Sequence, residues 1–485
     1  MRFLQKHKWL FALLTLQLVF HLPYMNRVAM GNHVWRQVNT LAVAKNYYEK
    51  DMNILYPRID KNYGTNGITG PQFTSYDYSV ALIYKVFGFS ETAHRWFSLL
   101  LSLCAIAGTI AIIRLYLPRG GAPYWGGLAL IGIPEFYYYS IAAVPDLLAL
   151  AAMVWGWWWF YRFLNRPSAM NLIFTMLLLA LAGMTKLMFL VPGFVFMGEI
   201  IRRKAWNYKE LAGYSALAIG VLGTSAWWYF WAKYLTDMNG INEFVHAIRF
   251  KESVSAALHV WVKNMGIDTV ETWVGYPLLI PVFGGLFFTL KRHARDLRVI
   301  FTLLSALLYY VVMQHQLEHH GYYMVLFVPF IALSAAYFVH VVHGRSKASP
   351  ENFFGMSKWH IFLVLAPIWS VLRMSHNFNL DKPGMPIAFV NSESRDKMQQ
   401  FSQAEDLWIV GPDQSGCVYF YYLGAKGFPW YNLQDKSTEF SRFKSMGAKG
   451  IITDSESEAR EFCRRENLKI EWVHRYKNWV WLRFI

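Results

Sequence analysis

The apolar residues of this 485-residue chain are gathered into blocks of roughly 20, the length that carries one helix across a bilayer. A chain so patterned has few choices. In lipid each segment must satisfy its own backbone amides, so the blocks are expected as helices. Composition agrees: 55% of the residues are hydrophobic and only 16% charged, with 21 Trp and 29 Tyr suited to the membrane–water interface. The fold class expected is an all-α polytopic membrane protein with about 11 transmembrane helices, followed by a small α/β domain.

The expected spans are about 8–24, 94–115, 124–139, 146–163, one ending near Lys186, 187–201 and 211–231. Four more end or begin near Lys291, Gln314, Tyr323 and His360. With the N-terminus inside, the basic clusters at Arg114/Arg119, Arg162/Arg166, Arg202-Arg203-Lys204, Lys291–Arg295 and Arg345/Lys347 all fall on one face. This bias accounts for the net charge of +16, and no basic recognition module points to nucleic acid. The first apolar run lacks a small-residue cleavage site and reads as an uncleaved anchor. The same count places two long loops outside, about 25–79 and about 232–276.

The transmembrane domain is expected to cover 1–376. From about Asn377 the runs shorten to strand length, at Leu407–Val410, Val418–Leu423 and Gly450–Ile452, with helix-like stretches between them. Residues 377–485 therefore read as a soluble α/β domain with a partly parallel sheet, ending in two strands around Lys477-Asn478. Cys417 and Cys463 both fall in it and are free to pair or not.

Chemistry is expected at the outer ends of the spans, where a polar residue is costly unless solvated or used. Asp146 opens the fourth span, as a helix cap or as a functional acid. Lys186 stands outside against the charge bias, suited to a lipid phosphate or snorkelling to the interface. His319, His320, Tyr322 and Tyr323 supply several donors for a phosphate, or form an aromatic belt. His315, Glu318 and the two following histidines raise the question of a metal, but no helix-spaced pair shares a face with a carboxylate. No metal site is assigned and no cofactor is firmly indicated.

Taken in order, several short motifs carry a resemblance. They are Trp35-Arg36-Gln37-Val38-Asn39-Thr40, Pro71-Gln72-Phe73, Tyr84-Lys85-Val86-Phe87-Gly88, Arg95, Pro145-Asp146-Leu147-Leu148, Gly183-Met184-Thr185-Lys186, Trp227-Trp228-Tyr229 and His319/His320-Gly321-Tyr322-Tyr323. In these the chain resembles the bacterial glycosyltransferases of the GT-C fold, the group that includes protein O-mannosyltransferases and the aminoarabinose transferase of lipid A. The resemblance implies an inverting transfer of sugar from a polyprenyl-phosphate donor to a hydroxyl of a glycan, lipid or protein acceptor. It implies a site on the outer face of the cytoplasmic membrane. It further implies an acidic base in the first outer loop, and donor or acceptor binding by Trp35, Arg36, Gln37, Asn39, Gln72, Lys85, Arg95, Lys186, His319, His320, Tyr322 and Tyr323.

The chain departs from that pattern at the acids. Relatives of this form often carry Asp where Asn39 stands and Glu where Gln72 stands, and an amide takes no proton at neutral pH. Asp77 is then the first choice of base, Asp60 the second and Asp146 the third, with Asp77 equally placed to cap a helix. A non-catalytic relative that binds lipid-linked glycan is the alternative. A transporter is disfavoured because the two halves show no symmetry.

Overall fold

The structure, a computed structural model, describes residues 2–118, 120–204, 207–241, 262–343, 358–378, 389–390, 392–403, 405–431 and 436–485. In chain order its helices begin with α1 (Arg2–His21), α2 (Val34–Glu49), α3 (Ser75–Phe87), α4 (Ala93–Tyr116), α5 (Ala122–Ile131) and α6 (Pro134–Tyr139). Next come α7 (Asp146–Asn165), α8 (Ala169–Thr185), α9 (Pro192–Arg203), α10 (Tyr208–Asn239), α11 (Leu279–His293) and α12 (Leu297–His319). The series closes with α13 (Val328–His343), α14 (His360–Met374), α15 (Ser392–Phe401), α16 (Val418–Leu423), α17 (Lys436–Ser445) and α18 (Glu456–Arg465). Five strands belong to the C-terminal part: β1 (Leu407–Val410), β2 (Lys426–Pro429), β3 (Ala448–Thr453), β4 (Ile470–Tyr476) and β5 (Trp479–Phe484). The basic pair Arg345/Lys347, Arg119 and the middle of the second outer loop lie outside the described residues.

Each expected apolar segment is helical along most of its length, but several are interrupted. Pro134 and Pro192 each open a new helix at its first position, where the missing N–H has no intrahelical partner to lose. Among the described residues, four helical stretches are both long and apolar enough to cross a membrane: Ala93–Tyr116, Asp146–Asn165, Gly321–His343 and His360–Phe378. A fifth candidate, Gly266–Trp273 with Tyr276–His293, is bent by 99°. The bend falls at Gly275, whose φ of 86° favours glycine and whose Cα faces Trp369 too closely for a relaxed side chain.

The chain divides into two compact units. The first holds residues 1–27, 94–229 and 246–378, the helical bundle. In it α7 packs on α8, α12 on α9, and α13 on both α5 and α11. Buried polar groups are tied across the bundle: Gln17 donates to Ser140 at 2.8 Å, and a His21 ring nitrogen meets the Tyr137 carbonyl at 2.8 Å. Helices touch most closely at glycine. A Cβ on Gly285 would lie 1.9 Å from the Ser334 carbonyl oxygen. Gly285→Ala is therefore expected to destabilise the protein by about 1–3 kcal/mol, read as a lower melting temperature in detergent. The same change at Gly223, which faces open space, is expected to be neutral or slightly stabilising.

The second unit holds residues 28–93, 230–245 and 379–485, so most of the first long loop shares it with the C-terminal α/β part. The sheet order is β2-β1-β3-β5-β4, with β1 parallel to β2 and β3, and β5 antiparallel to β3 and β4. Its core is aromatic, built on Phe428, Trp430, Phe440, Phe462 and Phe484 with Cys463. The edge strand β2 is covered by the loop. Asn62 donates to the Gly427 carbonyl at 2.8 Å and Gly427 donates to the Asp60 carbonyl at 3.1 Å.

One expectation changes here. Val418–Leu423 was read as a strand and is the helix α16. Ser415 accepts from Val418 N–H at its start, Gly424 stops it in a left-handed turn, and all six side chains are buried, so no polar face reveals its period. The strand beside it is instead β2, which carries a glycine and a proline and so lacks strand-like composition. The two cysteines do not pair. Cys417 donates to the Trp35 carbonyl at 3.4 Å, while Cys463 is buried in the sheet core.

Candidate functional site

In the first unit, α7 and α8 are successive packed helices, so the start of one adjoins the end of the other. Asp146 is the first residue of α7 and Lys186 follows the last residue of α8. A carboxylate at a helix N-terminus and an ammonium at a C-terminus each suit the local dipole. They meet: Lys186 donates to Asp146 Oδ1 at 2.6 Å, with the Asp146 side chain wholly buried and that of Lys186 8% exposed. Asp146 is thus no cap. Pro145 occupies the cap position, and the Asp146 carboxylate is turned to the lysine.

The Lys186 ammonium also lies 4.5 Å and 4.4 Å from the ring centroids of Tyr322 and Tyr323. These two rings come from the 3-10 turn Gly321–Phe327, which Tyr309 fixes by donating to the Tyr323 carbonyl at 2.9 Å. His320 stacks on Tyr322 at 5.4 Å, and Tyr139 meets Tyr322 edge-on at 5.8 Å. Just past Lys186, the Leu187 N–H donates to Tyr229 at 3.1 Å, which gives the Trp227-Trp228-Tyr229 motif a positioning use. The result is an ammonium group held between a carboxylate and two aromatic faces. His319 ends α12, and its side chain lies outside the described residues.

Sequence reasoning missed Glu135. It is the second residue of α6, is 6% exposed, and fills the space where a side chain on Gly321 would be: a Cβ there would lie 2.5 Å from Glu135 Oε1. Its Oε2 has no hydrogen-bond partner among the described residues. The signal was present, since a carboxylate inside an apolar run is a functional candidate by default. Arg95 is anchored within the bundle. Its guanidinium is buried and donates to the carbonyls of Arg27 and Ile141, tying the start of α4 to two loops of the bundle.

In the second unit, Trp35-Arg36-Gln37-Val38-Asn39-Thr40 is not loop. It forms the first turns of α2, which starts after His33 in the left-handed region, and Arg36 through Tyr47 are all buried. No capping side chain and no polar face mark its start. Arg36 and Asn39 are three apart on the helix and share a face. The Gln37 amide nitrogen turns back to the carbonyls of Asn32 at 3.0 Å and Met30 at 3.4 Å, holding the entry loop. Trp35 receives Cys417 at its carbonyl.

Asp77 lies in the first turn of α3, after the cap residue Thr74, and is 4% exposed. Burial pushes its carboxyl up to about 7, against the opposing pull of the Arg36 guanidinium. Asp60 is engaged by Asn46, which donates to Oδ1 at 3.0 Å, while its Oδ2 has no hydrogen-bond partner among the described residues. Gln72 keeps a buried amide nitrogen with no hydrogen-bond partner among the described residues. Lys85 is exposed near the far end of α3, 5.0 Å over the Tyr48 ring, about 12 Å along the helix from Asp77. So Arg36 and Asp77 come together, Asp60 is held apart with Asn46, and Lys85 faces outward. Among the described residues no three His, Cys, Asp or Glu side chains form a group able to hold a metal ion.

The profile of the dolichyl-phosphate-mannose-protein mannosyltransferase family matches residues 75–230, about a third of the chain. No curated protein matches the sequence. Among solved structures, ArnT from Cupriavidus metallidurans in the apo state is similar at a TM-score of 0.65 and 13% identity, covering 99% of this chain and 98% of its own. The fold is GT-C.

The same enzyme bound to undecaprenyl phosphate matches at a TM-score of 0.62 and 14% identity, over 98% of each chain. The Archaeoglobus fulgidus oligosaccharyltransferase, in complex with Zn and sulfate, matches at 0.58 and 12% identity, over 92% of this chain and 68% of its own. At these identities the likeness is one of fold. It matches the expected GT-C frame of apolar helices with a small C-terminal sheet domain, while residue roles depend on the geometry above.

Proposed function

We propose that this GT-C protein is a membrane glycosyltransferase that moves a sugar from a polyprenyl-phosphate-linked donor to an acceptor hydroxyl on the outer face of the membrane. The observation that carries the reading is the Lys186 ammonium held between Asp146 and the faces of Tyr322 and Tyr323. The family profile over 75–230 and the undecaprenyl phosphate bound by the ArnT of like fold support a lipid-phosphate donor.

In the reaction proposed, the acceptor oxygen attacks the anomeric carbon as the bond from that carbon to the phosphate oxygen breaks, inverting the centre. Lys186, with His320 and the two tyrosines, stabilises the charge that builds on the departing lipid phosphate. Asp77 takes the acceptor proton. A base is most effective when its pKa lies near the working pH, and burial has brought the Asp77 carboxyl to about 7. Asp146 holds Lys186 in place. Glycan, lipid and protein hydroxyls all fit this chemistry, and the C-terminal part is assigned to the outer side with the first loop. No cofactor is required by these steps.

Sugar transfer from lipid-linked donor, measured with the purified protein in proteoliposomes, tests the proposal. Turnover supports it. Tight lipid-phosphate binding without turnover for any acceptor class would instead favour a non-catalytic relative, the reading that Asn39 and Gln72 favour by standing where acids are usual.

A further inference from the structure

Where residues 294–296 turn the chain, the hairpin α11–α12 is splayed. Only Ala294, Arg295 and Asp296 join the two helices, yet each is held by a different neighbour. α11 is drawn to α13, where Gly285 meets the Ser334 backbone and Ser334 donates to the Val282 carbonyl at 2.7 Å. α12 begins against α9. There a Cβ on Gly198 would lie 2.8 Å from the Leu297 carbonyl oxygen, and Glu199 stands 3.8 Å from Arg298.

Between them opens a cavity of about 370 Å³, walled by Trp157, Val282, Leu286, Val299, Leu303 and Phe330 among others. The hydroxyls on its wall are already engaged: Thr289 donates to the Gly285 carbonyl at 2.8 Å and Thr302 to that of Arg298 at 2.7 Å. The space is therefore apolar and unsuited to ordered water, and its lining lacks packing partners unless an apolar group enters it.

Its surroundings say what fills it. The outward faces of α11 and α12 carry exposed Phe287, Leu304 and Leu307, so the medium beside the cavity is hydrocarbon. Its polar end is formed by His293 and Tyr337, 2.9 Å apart, and by Asp296 with Arg298. Residues 291–298 carry Lys291, Arg292, Arg295 and Arg298 against the single carboxylate of Asp296, and the first three are exposed. An occupant with an apolar chain and an anionic head matches both ends.

We propose that this cavity binds one acyl chain of an anionic phospholipid, with the headgroup held at the basic α11–α12 turn. The site is separate from the one assigned to the sugar donor, and its occupancy stands or falls independently of the transfer reaction. It gives the splayed hairpin a filler that the chain itself lacks, so the lipid is a structural component of this end of the bundle.

The test uses the full chain in neutral detergent, incubated with phosphatidylglycerol, phosphatidylcholine or a short polyprenyl phosphate. Native mass spectrometry counts retained lipid, and thermal melting reads its effect. Phosphatidylglycerol is expected to be retained and to raise the melting temperature, with phosphatidylcholine retained about tenfold less. Ala306→Phe, which fills the cavity, should abolish that retention. Arg292→Gln with Arg295→Gln, at two exposed positions that leave the fold intact, should reduce the preference for the anionic lipid about tenfold. Equal retention of the two phospholipids, retention unchanged in the arginine variant, or stronger competition by the polyprenyl phosphate would each overturn the assignment.

Discussion

Replacing Asp77 with asparagine is expected to lower sugar transfer by about 10²–10⁴-fold, the usual contribution of a positioned general base, while making the protein more stable at neutral pH. The two effects share a cause. Asp77 is buried, and its carboxyl rises from 3.8 to about 7. The folded state therefore holds this proton more tightly than the unfolded chain does. Its contribution to stability is fully present below about 3.8, declines as the pH climbs, and is gone above about 7. Asparagine removes that penalty, by up to about 4 kcal/mol. Melting temperatures across pH 4–9 should converge between variant and parent in acid and separate in base. Transfer by the parent should rise through a pH of about 7, as the carboxylate becomes available. A variant that keeps full activity would move the base to Asp60 or Asp146.

Lys186→Met is expected to do more damage. It removes the charge proposed to receive the departing phosphate, a loss of about 10²–10³-fold by analogy with other preorganised donors. It also leaves Asp146 buried without its partner, which costs about 3–5 kcal/mol. Low activity in that variant alone would be ambiguous. The double variant Asp146→Asn with Lys186→Met resolves this, because two neutral groups of similar size restore the fold without restoring the cation. Its melting temperature should return toward the parent value while transfer stays about 10²–10³-fold down. Recovery of transfer in the double variant would show that Lys186 serves only the structure. In Asp146→Asn alone the lysine loses its carboxylate partner, and the expected signature is a raised KM for donor with a smaller change in kcat.

Much of this was legible in the chain. Lys186 and Asp146 were conspicuous because a charge at the end of an apolar run is rare, and Tyr322 and Tyr323 because they follow a glycine at a span start. What could not be read was their pairing, since 40 residues separate Asp146 from Lys186 and the contact depends on α7 and α8 packing. Arg95 shows the opposite outcome. It has the same kind of placement as Lys186, yet it is engaged by backbone carbonyls, which every sequence offers and no motif marks. Glu135 escaped notice because nothing beside it in the chain is polar, and its neighbour Gly321 is brought to it only by the fold.

The division follows from the range of the forces involved. Hydropathy and periodicity are local, so the sequence by itself determined the apolar helical segments, their basic ends, the α/β character of the C-terminal part and the set of residues able to do chemistry. Burial, pairing and proton affinity are set by partners distant in the chain. Only the tertiary structure decided that Asp77 is buried near a guanidinium, that Asp60 is engaged by Asn46, that Val418–Leu423 is a helix, and that the α11–α12 hairpin stands open.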